Sequence, residues 1–128
     1  MTDAEVQVVR SGELAPAAST PGMDRREAFS SEGFWMGTVT TSPGVMTGWH
    51  HHGEYDSYIF VSFGTARIEY GPGAKRHAEA DAGDSIHIPP LLVHREGTDE
   101  GSKGLEAVVI RVGRGEFLFN LEAPEQEE

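Results

Sequence analysis

With 128 residues the chain has room for one domain around one core. Its 21 acidic against 10 basic residues give a formal net charge of −11, which repels phosphate backbones and anionic membrane surfaces and argues against nucleic acid as a partner. The absence of cysteine excludes disulfides, thiolate–metal sites and cysteine nucleophiles, so any metal here is held by nitrogen and oxygen.

No apolar run approaches the roughly 20 residues of a membrane helix. The N-terminal stretch lacks the basic, apolar, small-residue order of a secretory signal, and a cytoplasmic protein with no membrane partner is the expectation. Residues 1–30 read as a polar arm, broken by Pro16, Pro21 and Gly22, with a short strand at Val6, Val8 and Val9 and a single helical turn over residues 24–29. Residues 34–41 are aromatic and β-branched and stop at the Ser42-Pro43-Gly44 turn. Residues 57–63 alternate, with Ile59, Val61 and Phe63 on one face and Tyr58, Phe60 and Ser62 on the other. Beyond Gly64 the alternation resumes at Ala66, Ile68 and Tyr70, and Gly71-Pro72-Gly73 ends it. Lys75, Arg76 and His77 read as a hydrophilic turn. Residues 85–88 form a short strand closed by Pro89-Pro90, and residues 105–112 a strand that is apolar except at Glu106 and Arg111. An apolar patch at Phe117, Leu118, Phe119 and Leu121 precedes an acidic end containing Glu122, Glu125, Glu127 and Glu128. Many short strands with glycine and proline between them, and no capped stripe of helical period, predict an all-β sandwich or barrel.

Three of the six histidines are consecutive, His50, His51 and His52. On an extended chain alternate side chains share a face, so His50 and His52 point together and His51 points away. Two imidazoles about 7 Å apart along a strand can meet at one metal placed above them, and a ligand from another strand would complete an open site. Without a metal the same residues would be a polar patch or hydrogen-bonding groups lining a cavity. His87, on the short strand, reads as a half-exposed barrel residue or as an orienting group beside a ligand. Tyr58, Phe60, Phe63 and Tyr70 read as core or interface packing, Trp49 as core packing beside the histidines or as a wall of the cavity mouth, and Trp35 and Met36 as a contact between sheets of two subunits. No Ser-His-Asp order, phosphate loop or dinucleotide glycine pattern is present.

Two segments resemble the paired motifs of the cupin superfamily. The first motif is glycine, five residues, His-x-His, three or four residues, glutamate, six residues, glycine; here it is Gly44, His50-His51-His52, Ser57 and Gly64, with four residues before Ser57. The second is glycine, five residues, Pro-x-Gly, two residues, histidine, three residues, asparagine; here it is Gly83, Pro89-Pro90-Leu91, His94 and Thr98. The resemblance implies a single-domain cupin-type β-barrel, a jelly-roll-like double-stranded β-helix, over residues 31–121, between the arm and an acidic tail of residues 122–128.

It also implies a divalent transition metal on His50, His52 and His94. Iron(II) is favoured, with manganese, nickel, cobalt or zinc as alternatives. The family's carboxylate position holds Ser57, a poor ligand. Asp56 takes that role if the hairpin is bulged, with Glu54 or water as substitutes. The altered second motif leaves His94 in register. A fold of this kind hosts many chemistries, so the reaction is not read from the motifs. The leading expectation is a small-molecule enzyme, an iron-dependent dioxygenase. The alternatives are a Lewis-acid isomerase or lyase, a non-catalytic metal or small-molecule binder, and a metal-free barrel. By the same resemblance the chain forms a homodimer, with edge strands or the arm crossing between subunits.

Overall fold

The computed structural model describes residues 4–18 and 20–122. Its ten strands are β1 (Ala15–Pro16), β2 (Met23–Ser31), β3 (Phe34–Thr41), β4 (Trp49–His51), β5 (Asp56–Tyr70), β6 (Arg76–Asp81), β7 (Ser85–Ile88), β8 (His94–Gly97), β9 (Leu105–Val112) and β10 (Phe119–Leu121). The helical content is two 3-10 turns, Ser11–Glu13 and Pro72–Ala74, and no helix among the described residues is long and apolar enough to cross a membrane.

Every pairing is antiparallel, and the strands run β1-β2-β3-β9-β5-β8-β4-β10, with β6 and β7 also on β5. The long β5 belongs to both halves of the barrel. Its first part pairs with β9 and β7, and its second part with β6 and β8. A bulge between Val61 and Phe63 makes that division, since Val61 faces Ala107 and Phe63 faces Glu106, leaving Ser62 as the extra residue. The expected alternation therefore breaks. Ile59 and Val61 share a face, the inward one, whereas Phe63, expected on that same face, is turned out and is 44% exposed. Gly64 follows the bulge with φ +78°, and a Cβ there would run into the Gly104 carbonyl oxygen, so only glycine fits the corner.

The core is the inner face of this curled sheet. Along β9 the buried positions are Leu105, Ala107, Val109 and Arg111, and along β3 they include Trp35, Val39 and Thr41. Val61 and Ile68 close it from β5, each buried aliphatic side chain contributing about 1.5–3 kcal/mol relative to exposure. The inward Trp35 is 8% exposed, inside the barrel rather than at a contact between sheets of two subunits. Tyr70 packs on this core, while Tyr58 and Phe60 lie on the outer face, 47% and 46% exposed.

Several N-terminal expectations need correction. Val6, Val8 and Val9 lie outside any strand, with Val6 and Val8 largely solvent-exposed. Residues 24–29 form the middle of β2, not a helical turn, because β2 is an edge-side strand whose outward positions, such as Asp24 and Arg26, are polar and ion-paired. The sheet thus begins before residue 31, and Met23 is part of the core. His77 sits in β6, opposite Glu69, rather than in a turn. Part of the apolar patch becomes β10, paired with β4. The acidic end beyond Glu122, with Glu125, Glu127 and Glu128, lies outside the described residues.

Candidate metal centre

The inner face of the second half-barrel gathers His50, His52, His94 and Glu96, each offering one ligand atom within 4.8 Å of the others. The sheet register explains the convergence. His50 on β4 is the direct cross-strand partner of His94 on β8, and His94 and Glu96 in turn face Tyr70 and Ile68 of β5. Two-residue periodicity then brings in His52 beside His50 and Glu96 beside His94. The ring centroids are 4.4 Å apart for His50–His94, 4.9 Å for His50–His52 and 5.3 Å for His52–His94. All three histidines are buried, His94 completely.

Each ring is fixed by its far nitrogen. Nδ1 of His50 lies 2.9 Å from the Gly48 carbonyl, Nδ1 of His94 2.9 Å from that of Leu92, and Nδ1 of His52 2.6 Å from that of Phe117. A carbonyl only accepts, so Nδ1 carries the proton in all three, and every Nε2 presents a lone pair to the shared space. Nε2 of His94 is buried with no hydrogen-bond partner. Nε2 of His50 stands 3.8 Å from Oε1 of Glu96, too far for a hydrogen bond. An orphaned, inward-facing imidazole nitrogen in a ring of such groups fits a divalent cation, and these residues could hold one.

The electrostatics agree with that fit. Burial pushes the His52 imidazole down to about 3, with the Arg111 charge adding to it, and burial likewise lowers His50. Neutral imidazole is the ligating form. Burial works against ionising Glu96, but His94, His50, His52 and Arg111 outweigh it and hold the carboxyl below its usual range. A carboxylate and three neutral imidazoles form a nitrogen–oxygen set suited to iron, manganese, cobalt, nickel or zinc.

The remaining candidates lie elsewhere. His51 points away, stacked on Phe119 at 4.7 Å. Asp56 is outside the cluster. It lies on the outward side of β5, where its Oδ1 is 2.7 Å from Nε2 of His87, itself stacked on Tyr58. No bulge turns Asp56 inward, because the bulge in β5 falls at residues 61–63. Glu54 is on the surface, paired with Arg114. Ser57 faces inward as the motif position requires, with its hydroxyl buried and unpartnered. Trp49 lies under the Arg95 guanidinium, 4.7 Å from the ring centroid. The carboxylate of the cluster comes instead from Glu96, two residues after His94, a position the alternation rule would have reached had it been applied to β8.

Two spaces adjoin the cluster. An internal void of about 30 Å³, bordered by His52, Ser57, Glu96 and Arg111, has room for a water or two and no more. A larger cavity of about 320 Å³ opens beside His50 and His52, with Arg25, Arg111, Trp35 and Phe117 on its walls. That is the small end of the range for ligand sites.

A curled, all-antiparallel sheet with this strand order is that of a double-stranded β-helix. It is the cupin fold. Among solved structures the chain is similar to a Klebsiella pneumoniae protein with a double-stranded β-helix domain (18% identity, 95% of this chain and 97% of that one, TM-score 0.73). It is also similar to the polyketide cyclase RemF of Streptomyces resistomycificus (21%, 91% and 86%, 0.73) and to a cupin-like protein of Thermotoga maritima (21%, 79% and 77%, 0.67). No family model matches the sequence, and no curated protein does.

Proposed function

We propose that the chain is a metal-dependent enzyme acting on a small molecule, with His50, His52, His94 and Glu96 as the metal ligands. The observation that carries this reading is the set of three Nε2 atoms and one carboxylate facing a common space, each imidazole locked from behind by a backbone carbonyl, beside a cavity of ligand size. Four protein ligands leave positions open on a six-coordinate ion. Iron(II) is the favoured metal and a dioxygenase the leading reaction class. A bound iron(II) would supply the redox chemistry that lets dioxygen react with an organic substrate. The chain's own part is to orient the ligands through the backbone carbonyls behind them and to exclude bulk water with the buried walls.

Lewis-acid chemistry on manganese or zinc is the second reading, favoured by the likeness of fold to a protein described as a polyketide cyclase. We also propose that the outer sheet face, where Tyr58, Phe60 and Phe63 stand exposed, pairs with a second copy of the chain.

The test is metal analysis of untagged protein followed by turnover assays after anaerobic reconstitution with iron(II). Stoichiometric metal and substrate-dependent oxygen uptake on a panel of small aromatic, diketone and thiol compounds is the expected outcome. Substrate loss without oxygen uptake selects the Lewis-acid reading. Retained metal with no turnover leaves a binding module, and less than about a tenth of an equivalent of metal overturns the centre itself.

A further inference from the structure

Arg111 has no obvious structural employment. It is 7% exposed, on β9, facing inward between Trp35 of β3 and Ser57 of β5. Its Nε is buried without a hydrogen-bond partner, and its side chain makes no hydrogen bond or ion pair with any described residue. What it does touch is aromatic. The guanidinium carbon lies 5.1 Å from the Trp35 ring centroid and 5.7 Å from that of Phe117. Such contacts leave its N–H donors unused.

The acids nearby do not use those donors. Glu96 is near enough to be influenced by Arg111 but makes no ion pair with it, being aimed at the histidines. Glu27 accepts the Trp35 indole N–H at 2.8 Å. Arg25, which donates to Thr20 Oγ1, brings a second positive charge to the wall of the same cavity. A buried guanidinium with no hydrogen-bonded anion is costly, and two ring contacts do not offset that cost. In a chain of net charge −11, the residues lining this cavity include two arginines and no carboxylate.

We propose that the 320 Å³ cavity takes a small organic carboxylate, its anionic end held by the Arg111 guanidinium between Trp35 and Phe117 and its other end directed at the His50, His52, His94 and Glu96 cluster. A carboxylate matches the planar donor fork. The aromatic walls call for an organic body, which inorganic phosphate lacks. This substrate class rests on the metal-enzyme reading for its second half and on Arg111 alone for its first.

The experiment is calorimetric titration of the metal-loaded full chain with benzoate, succinate, benzamide and inorganic phosphate, repeated with Arg111→Met and Arg111→Lys and accompanied by metal analysis of each protein. Saturable binding of benzoate or succinate is expected, at least tenfold tighter than benzamide or phosphate. Both variants should keep their metal while weakening carboxylate binding tenfold or more, with Lys retaining more than Met. Should Arg111→Met not fold, the comparison of benzoate with benzamide on the unaltered chain and on Arg111→Lys decides. Equal binding of benzamide, tighter binding of phosphate, carboxylate affinity indifferent to both substitutions, or no saturable carboxylate binding would each overturn the proposal. Stoichiometric metal with no carboxylate bound removes the anion subsite alone. Arginine-dependent carboxylate binding to a chain that takes up no metal removes the metal-enzyme reading and keeps the subsite.

Discussion

Two histidine–carboxylate pairs sit on different halves of the barrel, His50 with Glu96 on the inner face of one and His87 with Asp56 on the outer face of the other. The outer pair is the closer, at 2.7 Å, with side chains 48% and 37% exposed. The inner pair is 3.8 Å apart with side chains 6% and 15% exposed. Distance alone would favour the outer pair as the functional one. Burial reverses that order. A short contact between half-solvated groups is an ordinary surface ion pair and satisfies both partners. Buried groups held a little too far apart, each with its back fixed to a carbonyl, are arranged for a third party.

The largest effect on the inner group is expected from removing His94. His94→Ala is expected to abolish stoichiometric metal, with affinity falling more than about a hundredfold while the far-UV circular dichroism of the barrel persists. One equivalent of metal on the folded variant would contradict the inner centre.

Acid is expected to act next most strongly. In the unfolded chain the His52 imidazole takes a proton near its ordinary 6.5, but in the folded chain only near 3. The unfolded state therefore binds more protons between those values. The stability contributed by the buried neutral ring is complete above pH 6.5 and is lost as the pH falls toward 3. For metal-stripped protein, denaturant titrations at pH 7 and pH 4 should differ by about 3 kcal/mol from this residue, with His50 acting in the same direction. Unchanged stability over that range would mean that His52 is not held neutral by burial.

Glu96→Gln keeps the shape and removes the charge. It should weaken metal binding by about tenfold or more in a chelator competition, whereas Asp56→Asn on the outer face should leave it unchanged and alter stability by no more than about 1 kcal/mol. A metal affinity that follows Asp56 rather than Glu96 would invert the assignment.

Much of this site was legible in the chain because strands obey a period of two. That rule placed His50 and His52 on one face and His51 on the other, and the motif spacing brought in His94. The same rule reaches Glu96 from His94. It also reaches Arg111, which shares the parity of Leu105, Ala107 and Val109 on β9 and is therefore inward-facing. Neither stands out in the sequence, because the family's carboxylate position lies elsewhere, at Ser57, and a charge in an apolar strand reads as an exception. Other features were not legible. The bulge at residues 61–63 depends on how β5 meets β9, so nothing in the local alternation shows Phe63 turning outward. The strand β2 carries too much charge to look like sheet until its pairing with β3 is known. The packing of Phe117 over the site joins residues 65 positions apart from His52, beyond the reach of any local pattern.

That last contact ties the chemistry of the centre to the docking of a segment far along the chain. The Phe117 carbonyl sets which nitrogen of His52 bears the proton, and β10, three exposed residues long, begins two positions later. Chelation strength thus becomes a gauge of how firmly this last strand is seated. Alterations at its rim will register as changes in ion retention even though none of them touches a coordinating atom.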